Sequence, residues 1–581
     1  MIPRALACDY DGTLASQDRI GPVALAALGR ARAARLALIL VTGRTFFELT
    51  RVCECLDLFD AVVAENGAVL YFPRSGVLRD QAPTPSPRLL AELDRRGIIY
   101  QVGRVIVGTA RTEEARVREA LEAAGVDLDL IYNRAALMLL PPGVSKGTGV
   151  RHVIRDLGLS SHDVLGVGDA ENDLALFDAC GFTACPANAV PALKTRADWV
   201  FPGEDGEAIA EAITGILEGR LPIARSPRHQ IELGWAVETS EAVTIPARGV
   251  NVLIHGDPLS GKSWLAGALV ERLVARRYAV CVLDPEGDYH VLARLSGTAW
   301  AEIGNDAALE RLLAQFERDP SACVVADLSA VPHARKVRII EKALAQIHEL
   351  RDRLGLPHWV VLDEAHYSLH QEGVREAAIR IEDKGFCLPT YRPSWIRESV
   401  VNAVDVFVLA RTTAPEELAC LRAALADPTG ESERAIAVLP ALPRGEFVVI
   451  QPREPGGRGA LTFVPAPRET VHVRHLRKYA DSVVSPARRF VFRHPDGRSA
   501  ATADSLSSFR HAVAAVDGGV LAYHARRGDF SRWVLDVFSD RELEVQLRKT
   551  EARWRRGEAL ELRELIGRVI AIRYGPDRVR T

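Results

Sequence analysis

Cysteine pairs with metal-binding spacing, membrane-length apolar runs and internal repeats are all missing from this sequence. The 9 cysteines are an odd number, and the closest two, Cys53 and Cys55, have a one-residue spacer where zinc and redox sites have two. This pattern argues against a disulfide scaffold and is typical of a reducing compartment. No apolar run is long enough to span a bilayer, and no signal peptide is recognisable. We therefore expect a cytoplasmic protein without a membrane partner.

A strong excess of charge of one sign is also missing, since the net charge is only -3. The segment from Pro467 to Thr581, however, contains 23 Lys and Arg against 15 Asp and Glu. This asymmetry permits an anionic partner, although the charges alternate with apolar residues as they do on a solvated domain face. The basic run from Arg468 to Lys478 would either grip phosphates or contact the rest of the protein.

The first informative motif is a buried strand that ends in two carboxylates. Ala5 to Cys8 form the strand, and Asp9 and Asp11 follow it, at the strand end where open parallel sheets bind ligands. One carboxylate can attack phosphorus, the other can protonate a leaving oxygen, and the pair would hold Mg²⁺. Later segments add matching polar groups, namely Thr42-Gly43-Arg44, Lys146, and Asp169 to Asp173.

These residues resemble the four motifs of the haloacid dehalogenase superfamily, in particular its capped sugar-phosphate phosphatases, over about residues 1 to 220. The resemblance implies a Rossmann-like core, an inserted α+β cap, a Mg²⁺ cofactor and a small phosphorylated substrate. It makes Asp9 the nucleophile and Asp11 the general acid/base, with the Asp11 main-chain carbonyl as a metal ligand. It further implies phosphate binding by Thr42, Gly43, Lys146 and Asn172, and metal binding by Asp9, Asp11, Asp169 and Asp173.

A second phosphate-binding motif lies in the middle of the chain. After the predicted strand 251–255, residues 256–263 fit GxxxxGK[ST] at every fixed position. Lys262 would reach the β and γ oxygens of a nucleotide, and Ser263 would ligate Mg²⁺. A later strand ends in Asp363, which would hold the metal through water, and Glu364, which would polarise the attacking water. The predicted ATP-binding residues of the loop are Gly256, Ser260, Gly261, Lys262 and Ser263.

From about residue 230 to 465, the order of these motifs resembles the HerA/FtsK-like ATPases, which form rings on DNA. The resemblance implies a RecA-like P-loop domain with ATP as substrate, a homo-oligomer such as a hexameric ring, and DNA as a partner. Such ATPases commonly have Gln before Arg-Pro, where this chain has Tyr391, which leaves slow or differently triggered hydrolysis open. Arg392 and Arg411 are either sensors of ATP across a subunit boundary or structural ion-pair residues.

We therefore expect an α/β multidomain protein, a Mg²⁺-dependent phosphomonoesterase fused to a HerA-like ATPase. Two alternatives stay open. A polynucleotide 5′-kinase/3′-phosphatase also joins a DxDGT phosphatase to a P-loop, and Tyr391 favours a nucleotide-sensing scaffold that regulates the phosphatase. The predicted domains are a phosphatase core (1–70 and 141–220), a cap (71–140), a linker (221–250), the P-loop ATPase (251–466) and a basic α+β C-terminal domain (467–581).

Overall fold

The computed structural model describes residues 3–133, 135–221, 227–370, 379–425, 430–451, 459–470, 484, 488–538, 541–558 and 561–574. These residues form two large α/β sheets, a small cap sheet and a C-terminal module of helices packed on a hairpin. None of the described helices combines the length and the apolarity needed to cross a bilayer.

The first large sheet forms the predicted phosphatase core, and its central strand Ala5–Asp9 is buried at every residue. Both neighbours of that strand run parallel to it, so its carboxyl end opens at the same edge as theirs. The sheet continues to Asp80, beyond the boundary at residue 70 that the sequence predicts, because a hairpin adds two antiparallel strands. The strand order is Trp199–Val200, Phe182–Cys185, Val164–Val167, Ala5–Asp9, Ala37–Val41, Ala61–Ala64, Val69–Phe72 and Val77–Asp80. The helices are Pro22–Ala33, Phe46–Val52, Lys146–Asp156, Leu174–Ala179, Pro191–Lys194 and Asp205–Leu217, and Ala15–Ser16 pairs with Arg19–Ile20.

The cap is an antiparallel sheet with two helices on one face, as an α+β module requires. Its apolar core includes Leu89 and Val117 from the helices and Leu137 and Leu139 from the sheet. The strand order is Asp129–Asn133, Ala136–Leu140, Val107–Ala110 and Tyr100–Val102, and the helices are Pro87–Arg95 and Glu114–Ala124.

The second large sheet has eleven described strands, of which seven consecutive ones are parallel. The segment predicted as a linker, 221–250, supplies two antiparallel edge strands of this sheet, because its alternating apolar residues pack on the helix Lys262–Ala275. The strand order is Ala242–Pro246, Gln230–Ala236, Leu461–Pro465, Phe447–Ile450, Val406–Leu409, Val252–His255, Phe386–Thr390, Trp359–Leu362, Val280–Asp284, Cys323–Asp327 and Thr298–Glu302. The helices are Lys262–Ala275, Asp306–Leu313, Gln315–Arg318, His333–Leu354, Glu398–Val401, Pro415–Ala424 and Glu431–Val438.

The C-terminal module has its own core, built around Phe492, Phe509, Phe530 and Val534. Its elements are the hairpin Phe490–Arg493 and Ser499–Ala503 and the helices Leu506–Ala515, Gly518–Arg527, Asp529–Phe538, Arg541–Arg555 and Leu562–Tyr574.

The two large sheets meet at the residues that precede their strands. Arg4, just before the central strand of the phosphatase, donates hydrogen bonds to the carbonyl oxygens of Asp352 and Arg353 at 3.0 and 2.7 Å. The His162 ring stacks on Tyr278, with 3.7 Å between ring centroids. The contact is therefore made at the amino ends of the strands, and Asp9 and the P-loop lie at the other ends of their strands.

Candidate active site

The predicted nucleophile Asp9 meets Lys146 at the carboxyl end of the central phosphatase strand. The Lys146 Nζ donates hydrogen bonds to Asp9 Oδ1 and Asp173 Oδ1, both at 2.6 Å, and all three side chains are buried. Lys146 begins a helix whose N-terminus is capped by Ser145, so its backbone position is fixed. The fold thus brings together three residues that are far apart in the sequence.

The charges of this site are unbalanced without a further cation. Oxygen atoms of Asp9, Asp169 and Asp173 lie within 4.8 Å of one another, and Thr13 Oγ1 orients Asp169 by donating to its Oδ1 at 3.1 Å. Burial, and then Asp173, raise the pKa of Asp9 well above its usual range. Burial alone would lower the pKa of Lys146, but Asp173 and Asp9 raise it, so the amine stays charged. The site therefore has three buried carboxylates and one charged amine. This set of residues fits Mg²⁺, which prefers carboxylate oxygens.

Asp11, the predicted general acid/base, is paired with an arginine whose side chain the sequence analysis did not use. Arg44 Nε donates to Asp11 Oδ2 at 2.7 Å and its Nη2 to Oδ1 at 2.5 Å, and the same Nη2 contacts Asp18. The guanidinium lies over the Tyr10 ring, 5.5 Å from the centroid. This pairing orients Asp11 at the half-buried rim of the site. The position directly after Gly43, in a predicted phosphate loop, was the signal that could have identified Arg44.

The other predicted phosphate-binding residues lie on the same edge of the sheet. The buried Thr42 Oγ1 accepts a hydrogen bond from the Arg44 N–H at 3.1 Å. Asn172 Nδ2 donates to Asn66 Oδ1 at 3.1 Å, while the buried Asn172 Oδ1 has no hydrogen-bond partner among the described residues. A Cβ on Gly43 would lie 3.4 Å from the Asn66 side chain. Asn66 is therefore a site residue that sequence reasoning missed, because no motif contains it.

The comparisons with known proteins agree with this geometry. Residues 6–87 and 101–213 match the haloacid dehalogenase-like hydrolases. The phosphoglycolate phosphatase of Methanothermobacter thermautotrophicus is 32% identical over 222 residues, which are 36% of this chain and 97% of that protein. The N-terminal part of this chain belongs to the haloacid dehalogenase-like hydrolases. The family predicted from the sequence is thus confirmed.

Two further proteins resemble this phosphatase domain. The phosphoglycolate phosphatase of Archaeoglobus fulgidus is 32% identical over 218 residues, 36% of this chain and 96% of that protein. A crystal structure from Thermoplasma acidophilum has 22% identity and a TM-score of 0.34, and covers 37% of this chain and 99% of that chain.

The second site is the P-loop, residues 256–263, which joins a buried strand to a helix. Gly261 has a φ of 101°, a conformation open to glycine but not to most residues. Lys262 Nζ donates to the carbonyl oxygens of Gly256 and Asp257, both at 3.0 Å, so the amine lies inside the loop that would enclose a phosphate. The predicted residues Gly256, Ser260, Gly261, Lys262 and Ser263 all lie in this loop or in the first turn of the helix.

The carboxylate pair opens on the same edge as the P-loop. Asp363 and Glu364 are buried, and the strand Phe386–Thr390 lies between their strand and the P-loop strand. Tyr391, at the end of that intervening strand, has its ring centroid 5.9 Å from Lys262 Nζ. Residues 254–307 match the central domain of the helicase HerA, in agreement with the resemblance seen in the sequence.

The two predicted arginine sensors have different surroundings. Arg392 Nη1 donates to Glu416 Oε1 at 3.0 Å and to Glu417 Oε1 at 3.3 Å. These contacts match the alternative in which Arg392 is a structural ion-pair residue. Arg411 is exposed, and its carbonyl oxygen accepts from Asp257 N at 2.8 Å. Arg411 thus lies beside the P-loop and remains a candidate for contact with a neighbouring subunit.

The basic run, for which phosphate binding was one predicted role, lies mostly outside the described residues. Only Arg468 to Thr470 of this run are described. Arg468 Nε donates to Glu271 Oε1 at 2.9 Å, and both side chains are buried. Glu271 also accepts from the Thr470 hydroxyl. Arg468 therefore anchors the chain on the helix Lys262–Ala275. This is the contact with the rest of the protein that the sequence left as one of two alternatives.

Proposed function

We propose that the haloacid dehalogenase-like domain is a Mg²⁺-dependent phosphomonoesterase for a small phosphorylated carboxylic acid, with phosphoglycolate as the first candidate. The observation that carries this proposal is the buried contact of Lys146 with Asp9 and Asp173. The substrate class is supported by the names of the two similar archaeal proteins, both phosphoglycolate phosphatases.

In the proposed reaction, Asp9 attacks phosphorus and the bond to the substrate oxygen breaks, which leaves an aspartyl phosphate. Asp11 donates its proton to the departing oxygen, which leaves as an alcohol. Water then attacks the same phosphorus, Asp11 takes a proton from it, and inorganic phosphate is released as the Asp9 carboxylate re-forms. Lys146 holds one Asp9 oxygen throughout. Mg²⁺, held by Asp9, Asp169, Asp173 and the Asp11 carbonyl, would supply positive charge for the phosphoryl oxygens.

The test is release of inorganic phosphate from phosphoglycolate by the full-length chain, with Mg²⁺ and after its removal by a chelator. Asp9→Asn should lower kcat by more than about a thousand-fold, as loss of a nucleophile does in other enzymes. Asp178→Asn, a change at an exposed carboxylate on a nearby helix, should leave the rate unchanged. Equal rates for wild type and Asp9→Asn would contradict the proposal. Turnover of other phosphoesters but not of phosphoglycolate would refute the substrate alone.

We also propose that the P-loop domain hydrolyses ATP, with Lys262 binding the phosphates and Glu364 polarising the attacking water. The proposal is supported by the common edge of the P-loop and the Asp363–Glu364 pair, and by the HerA match. HerA-like motors suggest the further details, namely a homo-oligomer such as a hexameric ring, and stimulation by DNA.

Following the γ-phosphate of ATP separates this second proposal from its alternatives. The protein is Asp9→Asn, so that its own phosphatase is inactive, and it is assayed with and without DNA bearing 5′-hydroxyl ends. Free phosphate that appears faster with DNA and is lost in Glu364→Gln would support a DNA-linked ATPase. Label on the DNA would instead establish a 5′-kinase, and nucleotide bound without turnover would establish a sensing scaffold.

A further inference from the structure

The buried turn formed by Glu65, Asn66 and Gly67 has an unusual backbone. Its three residues have φ values of 53°, 52° and 101° in succession, and all three are buried. Left-handed conformations at non-glycine residues are unfavourable, and they persist where the surroundings over-determine them, often at functional sites. We call Glu65–Gly67 the left-handed turn.

The left-handed turn contacts three of the predicted catalytic segments. The Asn66 N–H donates to the Thr42 carbonyl oxygen at 3.0 Å, and Asn66 Oδ1 accepts from Asn172 Nδ2 at 3.1 Å. A Cβ on Gly67 would lie 1.9 Å from the carbonyl oxygen of Ser145, the residue before the catalytic lysine. The turn therefore packs against the phosphate loop, the lysine helix and the last motif at once.

The same turn holds the cap through one carboxylate. Glu65 Oε1 accepts from the Arg104 N–H at 2.9 Å, and Oε2 accepts from the N–H groups of Val105 and Ile106 at 2.9 and 3.2 Å. The Glu65 residue is 0% exposed, so these are charge-assisted hydrogen bonds in a region of low dielectric constant. A Cβ on Gly103 would lie 2.5 Å from Oε2. The cap loop, Gly103–Ile106, thus fits closely around the carboxylate.

We propose that Glu65 is a positioning residue, which fixes the cap loop over the phosphatase site and thereby holds Asn66 against Asn172 and Thr42. This inference rests on the proposed phosphatase function. When the cap loop leaves, the buried carboxylate loses three N–H donors, and the left-handed turn loses contacts that keep it in its unfavourable conformation. Docking of the cap loop therefore stabilises the ordered catalytic segments, and the ordered segments in turn stabilise the docked cap loop.

The test compares Glu65→Gln with a change on the cap side, Gly103→Ala, which places a methyl group against the same carboxylate. Both should lower kcat for phosphoglycolate by about 10- to 100-fold, the size expected when catalytic groups are misplaced by about 1 Å. Glu65→Asp, which keeps the charge, should recover part of this loss. The control is Glu92→Gln, at a buried cap glutamate whose ion-pair partners, Arg95 and Arg96, lie at the end of its own helix. It should leave kcat unchanged.

Hydrogen exchange gives a readout that does not depend on activity. The amides of residues 104–106 should be protected in wild type and Glu92→Gln, and should exchange faster in Glu65→Gln and Gly103→Ala. Faster exchange with unchanged kcat and KM would mean that the contact is structural only, and would overturn the inference. So would fast exchange in wild type. If the wild type has no phosphatase activity, the proposed function is wrong as well. If the wild type is active and Glu65→Gln keeps its full kcat, only the inference about Glu65 is wrong.

Discussion

Replacing Asp163 by asparagine should weaken the contact between the two large sheets by about 3 to 5 kcal/mol, the usual cost of breaking a buried ion pair on one side. Arg248 Nη2 lies 2.5 Å from Asp163 Oδ1, and His358 Nε2 lies 3.4 Å from Oδ2. The Ala279 N–H donates to His358 Nδ1 at 2.9 Å, so the neutral ring carries its proton on Nε2, towards Asp163. Asp163→Asn would remove the negative charge that lies beside the Arg248 guanidinium, whose side chain is only 8% exposed.

The effect should depend on pH. Burial alone would raise the pKa of Asp163, but His358 and Arg248 hold it far below its usual range. The pKa of His358 is itself lowered, mainly by burial, so at neutral pH Arg248 supplies the permanent charge. Because the folded pKa of Asp163 is depressed, its stabilisation is present above the unfolded value of about 4 and is lost as the pH falls towards the folded value. The difference between wild type and variant should therefore shrink below about pH 4.

Urea unfolding of the full chain at pH 7 and pH 3 measures the loss of stability and its dependence on pH. The matched control is Asp352→Asn, at an ion pair with Arg380 near the same contact, where the aspartate side chain is 63% exposed and the expected loss is below about 1 kcal/mol. The double change Asp163→Leu with Arg248→Met should recover stability, since no buried charge is left unpaired. A loss at pH 7 no larger than that of the control would refute the reasoning. So would a loss that is the same at both pH values.

Three further changes test the two sites and the anchor of the C-terminal segment. Lys146→Met should lower the phosphatase rate at least about 100-fold, because Asp9 loses its charged partner, while ATP hydrolysis measured on the same sample stays unchanged. Lys262→Ala should abolish ATP binding, measured by calorimetric titration, and leave phosphate release from phosphoglycolate intact; loss of both activities would contradict the separation of the sites. Arg468→Met should lower the free energy of unfolding by about 3 kcal/mol, because Glu271 would remain buried without its cation; an unchanged urea midpoint would show that the pair contributes nothing.

The candidate catalytic residues could be predicted because each belongs to a short motif of neighbouring residues. Asp9 ends an unbroken buried strand, and the residues from Gly256 to Ser263 form a contiguous loop in which Gly261 has a left-handed backbone. In a parallel sheet such strand ends share an edge. The strand ends therefore predict that Asp9, Thr42 and Asp169 share an edge, whereas Lys146, which begins a helix, was placed at the site by the family resemblance.

The supporting residues could not be predicted, because their partners are distant in sequence and belong to no motif. Glu65 is a charged residue after a strand, and nothing nearby shows that its carboxylate would bind the backbone around Arg104. Asp163 precedes a strand like many surface aspartates, and its burial depends on a second domain that approaches through Arg248. Local patterns specify elements and strand ends, whereas these contacts are decided by how separate modules dock.

The position of the contact between the two sheets bears on how the two proposed activities could influence each other. Asp9 and Lys262 each follow the carboxyl end of a strand, while the contact between the sheets is made at the amino ends, around Arg4 and Asp163. A strand of four to five residues, roughly 15 Å long, therefore separates each site from the contact. The contact around Asp163 is therefore a route by which ATP could influence the phosphatase. We predict that ATP changes the rate of phosphate release in wild type and changes it less in Asp163→Asn; an equal change in both proteins would contradict this route.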